Sequence, residues 1–159
     1  GISGQTTQQM LIRFRSDVIN LRPAVVHIMG GLNDVANTTG GLSQDFEILG
    51  WFACMVELAL AHNIKVILAS VPAATAMPKT KVMKPGPRIS KLNYSLKLYA
   101  EQMKIVYADY WSVLATPAGQ IRPELARDTF HPNAAGFAAM EPTLLNAMER
   151  ALAAAPTPA

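Results

Sequence analysis

Three short apolar runs, separated by stretches of helical period, constrain this sequence more than any other feature. Val25-Val26-His27-Ile28-Met29 closes on Gly30-Gly31, and Lys65-Val66-Ile67-Leu68-Ala69-Ser70-Val71 stops at Pro72. Ile105-Val106-Tyr107-Ala108-Asp109 is a shorter version of the same pattern. Runs of this kind, apolar on consecutive residues and bounded by turn formers, read as strands buried on both faces. Around them, apolar residues recur at helical spacing in four groups: Met10, Leu11, Phe14 and Val18; Phe46, Leu49, Phe52, Val56 and Leu60; Ile89, Leu92, Leu96, Tyr99 and Met103; and Phe137, Met140, Leu144, Met148 and Leu152. Thr6 and Gln9 have the spacing of a capping box, Ser43 suits the N-cap of the second helix, and the last helix follows Asn133. Alternating helix and strand predict an α/β fold, a parallel sheet covered by helices on both faces. The working groups of such sheets lie in loops beyond the carboxyl ends of the strands. That directs attention to Gly30–Asn37, to the long loop expected from Pro72 to about Pro87, and to the segment between Tyr110 and Asn133.

Composition narrows the classes further. A length of 159 residues suits one domain, expected over residues 1–152, with 153–159 as a flexible tail. Half of the residues are hydrophobic, which excludes a disordered chain, yet no apolar run reaches a membrane span. A net charge of +3 is too small to imply nucleic acid as a partner. The single cysteine, Cys54, excludes an internal disulfide and a multi-cysteine metal site, and reads as a small buried hydrophobe on a helix. Trp51 and Trp111 read as core or rim packing. Nothing in the sequence calls for a metal or a cofactor.

Of the three histidines, His27 lies inside an apolar run and reads as a buried, hydrogen-bonded structural residue. His62 ends a helix, where an imidazole meets free carbonyls and the negative end of the dipole. His131 differs, because it stands in a loop before a helix with Asp128 three residues earlier. In a turn, that carboxylate can reach the imidazole Nδ1–H, fix the tautomer and stabilise an imidazolium, as in a serine hydrolase. The bland alternative is a surface loop. Gly30-Gly31-Leu32-Asn33-Asp34 directly follows a strand, so Asn33 can present its amide to a developing oxyanion; a plain Gly-Asn turn, with Asp34 capping the next segment, is the alternative. Gly1-Ile2-Ser3-Gly4-Gln5 leads into a helix, and Gly4 can offer a backbone N–H to an anion; an ordinary turn reads equally well. Ser3 fails the Gly-x-Ser-x-Gly nucleophile elbow at Gln5.

Taken together, these sites make the chain resemble the SGNH, or GDSL, family of serine esterases and lipases, in its lysophospholipase-like or acetylhydrolase-like members. Ile2-Ser3-Gly4-Gln5-Thr6-Thr7 is similar to the second block of that family, Gly31-Leu32-Asn33-Asp34 to the third, and Asp128-Thr129-Phe130-His131 to the fifth. The resemblance implies a three-layer α/β/α, flavodoxin-like sheet. It also implies Gly4 and Asn33 as oxyanion donors, His131 as base, Asp128 as its orienting partner, and a small ester or lipid substrate.

The departure from the family is its first block, Gly-Asp-Ser, which carries the nucleophile. None of the seven serines (Ser3, Ser16, Ser43, Ser70, Ser90, Ser95 and Ser112) stands in that context. The expectation is therefore an N-terminally incomplete chain, lacking the first strand and the nucleophile, with little activity alone. Without that strand, Val25–Met29 becomes a free parallel edge, from which self-association or pairing with a separate N-terminal segment is expected. A non-catalytic binding or assembly module and an acyltransferase are the alternatives. Lys79, Lys81, Lys84, Arg88 and Lys91 make the Pro72–Lys91 stretch basic, either a rim for anionic groups or simply a solvated loop. Met77 and Met83 can line an acyl pocket or fill the core.

Overall fold

The computed structural model describes residues 1–36, 44–77 and 82–154. Its elements alternate as the sequence patterns predict. Helix α1 (Thr7–Asp17) starts at a capping box, in which the Thr6 side chain accepts from the Gln9 N–H and the Gln9 side chain accepts from the Thr6 N–H. Strand β1 (Val25–Ile28) leads into a short helix α2 (Leu32–Val35), and α3 (Asp45–Ala61) into β2 (Lys65–Ala69). A two-stranded hairpin, β3 (Ala76–Met77) with β4 (Val82–Met83), occupies the region expected as loop; strands of two residues leave no period to read. Helix α4 (Gly86–Gln102), β5 (Val106–Ala108), α5 (Tyr110–Leu114) and α6 (Ala134–Ala153) complete the order.

The main sheet is parallel, in the order β1-β2-β5, with Val26 opposite Val66 and Leu68 opposite Tyr107. Strand alternation sends side chains to two separate cores. Val66 and Leu68 pack with Phe14 of α1, with Phe52, Met55 and Val56 of α3, and with Ile89, Leu92 and Leu96 of α4. Ile67, Ala69, Val106 and Ala108 pack on the other face with Leu114 of α5 and with Met140, Ala147 and Ala151 of α6. This is the expected arrangement of helices, sheet and helices in three layers.

Several residue-level expectations are corrected. Cys54 is exposed, not buried, because α3 turns Ile48, Phe52, Met55, Val56 and Ala59 inward and Cys54 lies off that stripe. Phe46, on the outer side of the same helix, is 74% exposed. On α6 the inward stripe is Gly136, Met140, Ala147 and Ala151, which leaves Phe137, Met148 and Leu152 exposed; small residues bring this helix close to the sheet. His27 is not buried either. It points to the α6 side of an edge strand, where its Nε2 lies 3.1 Å from Tyr110 Oη. His62 caps α3 as expected, with Nδ1 donating to Leu58 O at 2.8 Å. The N-cap of α3 is Gln44; Ser43 lies outside the described residues. Trp111 packs between the two cores.

Candidate active site

The carboxyl ends of β1 and β2 open onto a cavity of about 960 Å³. The three regions singled out by the sequence converge there: Ser3 and Gly4, then Gly31 and Asn33, then Asp128 and His131 all line it.

Each arrives by a local device. Ile2–Gln5 is a tight turn in which the Gln5 N–H donates to Ile2 O, and Gly4 takes φ +80°, the value that the third position of a type II turn requires. Gly31 takes φ +89° between β1 and α2, and a Cβ on it would stand 2.9 Å from Val71 Cγ2. Val71 is itself held on both sides by one buried amide, since its N–H donates to Asn93 Oδ1 at 2.7 Å and its carbonyl accepts from Asn93 Nδ2 at 2.9 Å. Asn33 Nδ2 donates to Gln5 O at 2.9 Å, which ties the end of β1 to the Gly4 turn.

Asp34 does not cap the segment after it. Buried to 1% exposure, its carboxylate accepts from the Thr7 hydroxyl at 2.7 Å and from the Thr7 N–H at 2.9 and 3.2 Å, so it caps α1, the preceding helix. Thr7 closes the stretch that resembles the family's second block, but is assigned no role there. The signal that could have found this pair is a carboxylate beside a strand-end Asn together with the free N–H groups of the only capping box upstream.

The Asp128–His131 segment folds as an Asx turn. Asp128 Oδ1 accepts from the N–H groups of Phe130 (3.0 Å) and His131 (2.9 Å), and Oδ2 accepts from His131 Nδ1 at 2.8 Å. A carboxylate acceptor on Nδ1 puts the proton there and leaves the Nε2 lone pair free to take one. The slight burial of Asp128 works to raise its pKa, but the hydrogen bonds from the His131 ring and from the two backbone N–H groups outweigh it and hold the carboxyl at about 2. The pair is nearly half exposed at the mouth of the cavity, with side-chain exposures of 49% and 42%. Its loop is fastened by backbone bonds, Thr75 N–H to Thr129 O and Arg127 N–H to His131 O, each 2.8 Å. Asn133 anchors its end, accepting from the Gly136 N–H to cap α6 while Nδ2 donates to Glu124 O.

The remaining wall is apolar: Ile2, Met29, Leu32, Met77, Phe130 and Met140. Met77 is the one of these that the sequence offers for an acyl pocket; the others come from elements whose meeting point no local pattern records. Of the basic loop, Arg88 Nε bonds to Asp45 at 2.8 Å, with Lys91 3.8 Å from the same carboxylate. That engages two of the five cations on α3. Lys79, Lys81 and the Met83 side chain lie outside the described residues. Among the described residues no group of His, Cys, Asp and Glu could hold a metal, and no helix is long and apolar enough to cross a membrane.

Known proteins share this fold. A GDSL-like lipase from Bacteroides thetaiotaomicron VPI-5482 superposes with a TM-score of 0.91 at 40% identity, covering 96% of this chain and 75% of that one. Axe2, an acetylxylan esterase from Geobacillus stearothermophilus, has the same fold (TM-score 0.75, 22% identity, 93% of this chain and 69% of that one). The lipoprotein YqeF of Bacillus subtilis (strain 168) is 41% identical over 73 residues, 43% of this chain but only 29% of that protein, so the chain spans under a third of this curated relative. Residues 1–139 match the model of the GDSL-like Lipase/Acylhydrolase family, and the chain belongs to that family.

Proposed function

We propose that the cavity is an ester-cleaving site in which His131 is the base, Asp128 orients it, and Gly4 N–H and Asn33 Nδ2–H stabilise the oxyanion. The observation that carries this reading is the 2.8 Å Asp128–His131 bond opening onto the same cavity as Gly4 and Asn33. A hydroxyl attacking an ester carbonyl passes its proton to His131 Nε2, Asp128 stabilises the imidazolium, and the carbonyl oxygen takes up charge between the two donors. As the ester C–O bond breaks, the imidazolium gives that proton to the departing oxygen, which leaves as the alcohol; water, losing a proton to the same Nε2, then attacks the acyl group and frees it as the acid while the hydroxyl regains its proton. The apolar wall suits a small carboxylic ester or a lipid ester.

These 159 residues contain no Gly-Asp-Ser, so the base and the oxyanion donors have no family-type serine beside them within the chain. Little turnover is therefore expected from this chain alone. A p-nitrophenyl ester assay on it checks this, alongside a reading of the coding DNA upstream of Gly1 for an in-frame Gly-Asp-Ser. An in-frame block whose inclusion restores turnover, lost again in His131→Ala, supports the reading. Full turnover by the chain as it stands would overturn its dependence on that block, and loss of that turnover in Ser3→Ala would make Ser3 the nucleophile. The same missing motif favours, as second reading, a module that binds esters without cleaving them. It is distinguished by retained ligand binding with no turnover in either form. An acyltransferase differs only in the acceptor, and product analysis with added alcohol separates the two. The free edge of β1, which pairs only with β2 among the described residues, supports association with a second chain.

A further inference from the structure

The two oxyanion donors proposed above come from elements far apart in the sequence, the Gly4 turn and the end of β1. To act on one oxygen they must be held to within about half an ångström. Among the described hydrogen bonds, two ties cross between these elements. The first, Asn33 Nδ2 to Gln5 O, employs the donor group itself. The second is the buried Asp34 carboxylate on Thr7, whose hydroxyl and N–H supply all three of its described hydrogen bonds. Asp34 adjoins Asn33 in α2. Thr7 opens α1 directly after its N-cap Thr6, and so fixes the turn that carries Gly4. The carboxylate also faces the positive end of the α1 dipole, which strengthens the bond without a cationic partner.

We infer that Asp34, acting through Thr7, is a positioning residue that sets the distance between the Gly4 and Asn33 donors; this rests on the proposed ester-cleaving site. The role is separable from mere stability, because anion binding at the two donors depends on their spacing even in a folded chain that has no nucleophile.

The test uses the ¹⁵N-labelled chain titrated with ethyl methylphosphonate, a tetrahedral monoanion that mimics the oxyanion. Its affinity is read from the Gly4 backbone amide and Asn33 side-chain amide signals. Thr7→Val keeps the backbone bonds and removes the 2.7 Å hydroxyl bond, and Asp34→Asn removes the charge at nearly constant shape. Each is expected to weaken the phosphonate about fivefold or more, the equivalent of one lost hydrogen bond, while Thr7→Ser stays within about twofold of the unaltered chain. Variants that melt earlier yet bind the phosphonate as the unaltered chain does would assign the pair to stability alone and overturn the inference. No response at Gly4 and Asn33 in the unaltered chain would overturn the oxyanion site itself, and the inference with it.

Discussion

Asp128 does three things with two oxygens: it closes the turn, orients the imidazole and brings a negative charge to it. Each of these bonds is stronger to the ionised carboxylate than to the neutral acid, which is why its folded pKa, about 2, lies below the unfolded value near 3.9. The sign follows from linkage. A depressed carboxyl contributes stability that is fully present above about pH 4 and is lost as the pH falls through about 2. Carbon-detected NMR titration of Asp128 is expected to show a midpoint near 2, moving up toward 4 in His131→Ala. Between pH 5 and 9 the carboxylate stays ionised, so no limb of an activity profile in that range belongs to it. At this scale, what was legible in the sequence was local. Asp128 and His131 are three residues apart and make their bond within one turn, so the spacing alone points to it. Asp34 and Thr7 are 27 residues apart, and Asp34 therefore reads as a cap for the segment after it when it in fact serves α1.

At the scale of elements, the order of the four long helices and the three strands of the main sheet was legible because it is written in hydrophobic period, whereas α2, α5 and the β3–β4 pair are too short to show one. The buried stripe of each helix was less so. On α3 and α6 the large apolar residues Phe46, Phe137 and Leu152 face outward while Ala59, Gly136, Ala147 and Ala151 face in. A reading weighted by hydrophobicity selects the bulky residues, whereas close packing on the sheet selects the small ones. Gly136 packs tightly on the segment leading to Asp128 instead of on the sheet: a Cβ there would stand 2.3 Å from Leu125 O, a backbone atom of that segment. Gly136→Ala is expected to cost about 2–3 kcal/mol as that segment is pushed off α6, visible as a fall in melting temperature. Amide shifts of Phe130 and His131 should move with it, because Asn133 joins the same segment to the helix N-terminus.

At the scale of the whole molecule, the sheet is parallel and two-sided, but β1 stands at its margin with Val25 and Val26 only half-buried and His27 exposed. Met29 and Phe137 extend this apolar margin to the mouth of the cavity. Sedimentation velocity across a concentration series is expected to show association that weakens on dilution; a single monomeric species throughout would count against pairing at this edge. The layered fold was legible from alternation and the place of Val25–Met29 at the margin from the family resemblance, but the exposure of His27 was not, since burial there depends on which strands lie alongside. The fastening of the His131 loop through main-chain atoms has a consequence for how such a site can diversify. The bonds at Thr75–Thr129, Arg127–His131 and Leu125–Asn133 survive a change of side chain at residues 127, 129 and 130. Thr129 and Phe130 form part of the cavity wall, so replacements there reshape the cavity while the Asp128–His131 pair stays in register. On the proposed reading of the cavity, drift in selectivity and retention of the pair are thereby uncoupled.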